Sequence, residues 1–212
     1  MTTFAFTTKK CVICGSENKY KDIVSTNSFG SMDLDTRPPQ MMRSTLPYQI
    51  EYCENCGYAN TSIDKKVLAD VESIMNSIEY QFINSDKSVN PTAKAYLLSG
   101  ILHSKAKEYN TSGFLYLRAA WCFDDYHNYE NAIIARKKAI EELEKYLEQT
   151  NNFEYRMIIV DLLRRTNCFD KAIKLSEHLL KETNNPFFKG ILKFQMKLSN
   201  IKDAKCHTVG EV

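Results

Sequence analysis

Beyond Asp64, apolar residues recur with the spacing of amphipathic α-helices. Between Asp64 and Leu198 only three glycines and two prolines interrupt this pattern. The stretch "DKKVLADVESIMNSIEYQF" predicts one helix that begins at Asp64 and buries a single face, formed by Val67, Val71, Ile74, Ile78 and Phe82. Asn90, followed by Pro91, is typical of the start of a second helix. The pattern therefore predicts a mainly α fold.

Five more helices are predicted, at roughly 111–125, 129–149, 153–166, 169–182 and 187–199. Three segments resemble one another, "YENA" from Tyr129, "FDKA" from Phe169 and "IKDA" from Ile201. In tetratricopeptide-type helical hairpins a large residue fills the space between two helices, and an alanine lets them pack closely. We therefore predict an irregular helical-hairpin (tetratricopeptide-like) array. A plain helical bundle is the alternative.

The first quarter of the chain carries two Cys-x-x-Cys-Gly motifs, with Cys11 and Cys14 in the first and Cys53 and Cys56 in the second. A glycine after the second cysteine permits the tight backbone that points two thiolates at one ion. Four thiolates complete the tetrahedral shell of a structural zinc ion and leave no position open for a substrate. We predict a small β zinc ribbon that binds one zinc ion per chain.

Other uses of these cysteines fit less well. A thioredoxin-like couple needs a single motif beside a βαβ unit, and iron–sulfur clusters usually have different spacings. Seven cysteines are an odd number for a disulfide framework. Of the remaining three, Cys122 and Cys168 are expected in the helical core, and Cys206 with His207 in a frayed tail.

A long insertion, "SFGSMDLDTRPPQMMRSTLPYQ", separates the two motifs, and the flanking "YKDIVS" and "YQIEYC" are predicted to form the strands of a ribbon hairpin. Pro38 and Pro39 exclude a regular element at the centre of the insertion. Its charged residues suit either of two roles, recognition of a ligand or partner, or attachment of the loop to the helices. Attachment to the helices is favoured. The charged residues of the insertion are Asp33, Asp35, Arg37 and Arg43.

Charge and composition narrow the function. Residues 1–64 carry six Lys/Arg and seven Asp/Glu, a net charge of −1, and residues 65–212 carry 22 and 19, a net charge of +3. Neither part is polybasic, so nucleic-acid binding is possible but not favoured. No apolar run is long enough for a membrane span, and the N-terminus lacks the pattern of a secretory signal. A cytoplasmic location is expected.

No common catalytic motif occurs, so we expect a protein that is not an enzyme. The four histidines are scattered, and the polar stretch "DDYHNYE" is expected to form a turn between helices. Four arginines could line a groove for an acidic peptide or phosphate, or could cover the faces of the helical units with their long side chains. They are Arg118, Arg136, Arg164 and Arg165.

The order of these parts resembles a bacterial family known as domain of unknown function 2225. The stretches that carry the resemblance are "CVICG", "DLDTRPP", "CENCGYAN", "YLRAAWCFDDY" and "LLRRTNCFDKAIKL". It implies a zinc-ribbon and helical-repeat protein, with no activity established for the family. We expect residues 1–63 to form the zinc ribbon and 64–212 the array, acting as a protein-interaction or scaffold module that binds another protein or peptide. A nucleic-acid-associated zinc ribbon is the alternative.

Overall fold

The computed structural model describes residues 2–212 and confirms a mainly helical fold with small antiparallel β-hairpins near the N-terminus. The strands are β1 (Thr3–Lys10), β2 (Glu17–Ser25), β3 (Glu51–Tyr52) and β4 (Ala59–Asn60). The α-helices are α1 (Gln40–Arg43), α2 (Val71–Met75), α3 (Ile78–Ser85), α4 (Pro91–Lys105), α5 (Tyr109–Asp125), α6 (Tyr129–Leu147), α7 (Phe153–Arg165), α8 (Phe169–Glu182) and α9 (Pro186–Asn200). Among these described residues, no helix combines the length and apolar character needed to cross a membrane.

The strands form two separate hairpins. β1 pairs with β2, with Phe6 opposite Lys21, and β3 pairs with β4, with Tyr52 opposite Ala59. The prediction that "YKDIVS" and "YQIEYC" are the two strands of one hairpin was therefore wrong. Each strand pairs across its own Cys-x-x-Cys turn, because that turn already reverses the chain.

Contacts divide the chain into two compact units. One comprises the residues up to Asn27 together with Ser44–Glu142, and the other comprises Ser28–Arg43 and Leu143–Val212. Helix α6 passes from the first unit into the second. The predicted boundary at residue 64 lies inside the first unit, while Ser28–Arg43 of the insertion belong to the second. Independent folding of 1–63 and 64–212 stays a prediction.

The helix predicted to begin at Asp64 is two shorter helices. The Asp70 carboxylate accepts from the Ser73 amide and caps α2, and the Ser77 hydroxyl accepts from the Tyr80 amide and caps α3. The second cap breaks the predicted face, so that Ile78 is 91% exposed while Tyr80 is fully buried. The start of α4 at Asn90 and Pro91 is confirmed, since the Asn90 side chain accepts from the amides of the first turn.

Four turns that follow helices share one backbone conformation. Each places a residue with positive φ after the helix, and that residue's amide donates to a carbonyl three positions earlier. The amide of the next residue donates to the carbonyl five positions earlier. The two bonds together satisfy carbonyls that would otherwise be left free at the helix end. The positive-φ residues are Lys107, His127, Asn167 and Lys202. The stretch "DDYHNYE" therefore ends α5 and begins α6, as predicted.

The third of the similar segments does not begin a helix. Ile201 is the C-cap of α9, and the chain after Lys202 continues as a non-helical tail to Val212, apart from one 3₁₀ turn at Val209–Glu211. The segments from Tyr129 and Phe169 do begin helices, and Ala132 and Ala172 are buried there. A comparable pair is α4 with α5, where Ser112 donates to the Gly100 carbonyl and occupies the alanine position.

Candidate metal centre

Both Cys-x-x-Cys-Gly motifs fold into the same tight turn at the end of a hairpin. In the first, the Cys11 amide donates to the Ser16 carbonyl (2.9 Å) and the Gly15 amide to the Cys11 carbonyl (2.8 Å). In the second, the Cys53 amide donates to the Tyr58 carbonyl and the Gly57 amide to the Cys53 carbonyl, both at 2.8 Å. Gly15 and Gly57 have φ of +73° and +80°, values that L side chains rarely adopt.

The two turns bring the four cysteines together. Their Sγ atoms all lie within 4.8 Å of one another, with Cys11 to Cys56 and Cys14 to Cys53 each at 3.7 Å. None is in a disulfide, and Cys11 and Cys53 are buried. Four thiol sulfurs in this arrangement could bind a metal ion, which would take the place of the weak sulfur–sulfur contacts.

The four thiols differ in how readily they lose a proton. Hydrogen bonds from Ser16 and Asn55 lower the pKa of Cys14 to about 6. Burial raises the pKa of Cys56 well above that of an ordinary thiol. Because a metal ion binds thiolates, a cation at the centre would supply the positive charge that makes deprotonation of the buried sulfur favourable.

Residues from α3 support the second turn. The Tyr80 hydroxyl donates to the Gly57 carbonyl (2.8 Å), and the Tyr52 hydroxyl donates to Asn84 Oδ1 (2.8 Å). Asn84 also packs so closely that a Cβ at Gly57 would lie 2.7 Å from its Nδ2 atom. Tyr80 and Asn84 were not predicted to support the metal centre, because nothing in the helical pattern distinguishes them from core or surface positions.

His103 joins the same hairpin to the turn between α4 and α5. Its Nδ1 lies 2.6 Å from Glu108 Oε2, and its Nε2 lies 3.1 Å from Asn60 Oδ1. The Asn60 side-chain amide donates to the Lys65 carbonyl, which fixes its orientation. Both ring nitrogens of His103 therefore have partners within the fold.

The charged residues of the insertion are directed inward. Asp33, Asp35 and Arg37 are buried, and Arg43 pairs with Asp33 and donates to the Pro38 carbonyl. Asp35 accepts from the Arg37 amide (3.2 Å) and from Arg165 at the end of α7. This arrangement agrees with attachment of the loop to the helices. Recognition of a ligand by these residues stays a prediction.

The C-terminal tail packs against the insertion. The prediction of a frayed tail was therefore wrong. The Leu34 amide donates to the His207 carbonyl and the Val209 amide to the Met32 carbonyl, both at 2.9 Å. The Cys206 thiol donates to Asp33 Oδ2 (3.0 Å). Burial raises the pKa of Asp33, and burial likewise raises the pKa of Cys206 to about 12. Backbone pairing of this kind leaves no pattern that a single sequence reveals.

Three of the four candidate arginines are buried with internal partners. Arg136 pairs with Asp124, and Arg165 pairs with Asp35. Arg164 is fully buried and donates to Asp161, to Gln195 and to two tail carbonyls. Arg118 is half-buried in α5. The donors of Arg164 are thus engaged inside the fold, and binding of an acidic peptide or phosphate by the four arginines stays a prediction.

Of the cysteines outside the metal centre, Cys122 is buried as predicted, whereas Cys168 is half-buried at the start of α8.

The fold and the site define a mainly helical protein with a four-cysteine centre that could hold a metal ion. A profile of the family described as "Uncharacterized protein conserved in bacteria (DUF2225)" matches residues 6–197. Because this match covers most of the chain, the protein belongs to that family, and the resemblance is confirmed. No curated protein and no solved structure matches the chain.

Proposed function

We propose that this protein is a non-enzymatic, cytoplasmic interaction module stabilised by one structural zinc ion. The thiol geometry supports zinc: a tetrahedral ion with Zn–S bonds of about 2.3 Å separates its sulfurs by about 3.8 Å. Two of the sulfur pairs, Cys11 with Cys56 and Cys14 with Cys53, are 3.7 Å apart. Four protein ligands close the coordination shell, so the ion would fasten the two hairpins together and supply no chemistry to a substrate.

A groove between helices carries the interaction part of the proposal. Helices α3 and α6 form its walls, and residues of α4 and α5 form its floor. Its volume is about 550 Å³. Three apolar side chains on its walls are largely exposed, Ile78 at 91%, Phe82 at 72% and Ile134 at 54%. Leu97 and Phe123 also line it. Exposed apolar surface gathered in one groove is typical of a binding site for another protein.

The groove favours an amphipathic helix as its occupant. Its walls are two helices, and apolar residues repeat along α3 at Ile78 and Phe82, one turn apart, as in sites that receive the apolar face of a helix. On the rim, Glu79 is paired with Lys138 at 2.8 Å, whereas the half-buried Asp86 carboxylate accepts hydrogen bonds from the Ser88 amide and hydroxyl. We therefore expect a segment with apolar residues at i, i+4 and i+7 and a lysine or arginine near Asp86.

A pair of designed peptides tests this proposal. One is a labelled helical peptide with leucines at i, i+4 and i+7 and flanking lysines, and the other has the same composition with its leucines spread around the helix. Fluorescence anisotropy should show micromolar binding of the first peptide only. Ile134→Asp should abolish it, whereas Leu68→Asp, at a side chain 88% exposed outside the groove, should not. Equal binding of both peptides, or no effect of Ile134→Asp, would contradict the proposal.

A further inference from the structure

The β1–β2 hairpin has two faces of different chemistry. Side chains alternate along a strand, and Phe6 lies directly opposite Lys21 while Thr8 lies opposite Lys19. The face that contains these four residues also contains four more, Phe4, Ile23, Lys10 and Glu17. We call it the outer face.

The other face of the hairpin is directed toward the second hairpin. Lys9 forms an ion pair with Glu51 of β3, and the Tyr20 hydroxyl donates to the Tyr52 carbonyl at 2.8 Å. Thr7 donates to Asp22 on the same face. These contacts orient the hairpin, and they leave the outer face toward solvent.

Aromatic rings and ammonium groups lie side by side on the outer face. The Phe6 side chain is 78% exposed, and the rings of Phe4 and Tyr48 are 4.6 Å apart. The Lys21 Nζ atom lies 4.8 Å from the Phe4 centroid, 5.7 Å from that of Tyr48 and 5.9 Å from that of Phe6. An exposed ring beside a lysine offers a planar apolar surface and a positive charge within reach of one ligand.

The outer face is basic although the N-terminal segment is close to neutral. Three lysines lie on it, Lys10, Lys19 and Lys21, and Glu17, opposite Lys10, is the one carboxylate, which gives a net charge of +2. Two other acidic residues of the hairpins, Asp22 and Glu51, lie at the inner contacts. The average charge of residues 1–64 therefore concealed a local separation of charge.

We propose that the outer face binds single-stranded nucleic acid without sequence preference. Bases would stack on Phe6 and on the Phe4–Tyr48 pair, and the phosphates would lie near Lys19 and Lys21. Single strands are the favoured form because stacking on side chains requires bases that are free of a duplex. This site is independent of the groove between α3 and α6.

The test uses the zinc-loaded, full-length protein and a fluorescein-labelled oligodeoxythymidine of about 12 nucleotides, which is within the usual site size. Binding should weaken with salt with a log–log slope of about −1.4, since Lys19 and Lys21 contact phosphates and each contact to a single strand contributes about −0.7. Phe6→Ala should weaken binding about tenfold. Lys19→Glu with Lys21→Glu should abolish it.

Two matched variants separate this site from nonspecific attraction. Val24→Ala removes another exposed apolar side chain of the same hairpin, at the irregularity where the register shifts, and should leave binding unchanged. Lys171→Glu with Lys174→Glu makes the same charge change on exposed positions of α8 and should have little effect. Circular dichroism and zinc content check that each variant is folded.

Three results would overturn the proposal. They are undetectable binding at low salt, equal loss of affinity in the two double-lysine variants, and unchanged affinity in Phe6→Ala. Vesicles that contain anionic phosphatidylserine are tested in parallel. Binding to the vesicles without binding to the oligonucleotide would assign the outer face to a membrane surface and would also reject the proposal.

Discussion

The guanidinium of Arg165 donates to Asp35 Oδ2 at 3.0 Å, although the two residues are 130 positions apart in the chain. Both side chains are buried, with exposures of 8% and 0%. The pair connects the end of α7 to the insertion between the two cysteine motifs. This contact agrees with attachment of the insertion to the helices through Asp35.

Removal of one partner from this pair should be strongly destabilising. Asp35→Ala leaves the Arg165 guanidinium buried without this carboxylate, and we expect a loss of about 3–5 kcal/mol in the free energy of unfolding. The double variant Asp35→Ala with Arg165→Met should lose less than the sum of the two single variants, because the buried guanidinium is removed together with its carboxylate partner. Urea denaturation of the zinc-loaded protein measures each value. A loss below about 0.5 kcal/mol for Asp35→Ala would point to a surface role in recognition.

The two glycines of the cysteine turns allow a matched comparison. Both have positive φ, so alanine is strained at either position, at a cost of about 1–2 kcal/mol. At Gly57 the new Cβ would also approach Asn84, whereas at Gly15 nothing lies within 4 Å. Gly57→Ala should therefore release zinc to a chelator faster than Gly15→Ala, as followed by a colorimetric zinc indicator. Adding Asn84→Ala to Gly57→Ala removes the close contact and should slow zinc release toward the rate of Gly15→Ala. Equal rates of release from the two single glycine variants would contradict the close contact at Gly57.

The Cys206 thiol should react slowly with alkylating reagents. The residue is exposed by its accessible surface, but its thiol donates to the buried Asp33 carboxylate and its pKa is raised to about 12, so the reactive thiolate is scarce at pH 8 and labelling should accelerate as the pH rises. Peptide mapping by mass spectrometry after N-ethylmaleimide treatment measures the rate. The same cysteine in urea-denatured protein is the control and should react at least tenfold faster. Equal rates would show that the tail does not stay on the insertion.

The parts of the fold that were predictable have local signals. The cysteine spacing indicated the metal centre, because a tight turn needs only neighbouring residues, and the cap at Asn90 marked the start of α4. The break between α2 and α3 also has a local signal, Ser77, but the apolar spacing through Ile78 and Phe82 continues across it. That continuity misled the helix prediction, since the same side chains line a groove instead of the core.

The parts that were not predictable depend on distant pairing. Leu34 pairs with His207 through backbone atoms, which carry no side-chain signature. The basic outer face of the β1–β2 hairpin depends on the register that places Phe6 opposite Lys21, and a count of charges along the chain averages this out. Strand β1 itself was not predicted.

X-ray absorption spectroscopy at the zinc edge, on protein isolated without added metal, tests the central claim most directly. It reports both the identity of the ion and the atoms bound to it. The account predicts one zinc ion per chain with four sulfur neighbours at about 2.3 Å and no nitrogen or oxygen ligand. A folded protein without zinc, or zinc with nitrogen or oxygen in its first shell, would contradict a closed site formed by Cys11, Cys14, Cys53 and Cys56.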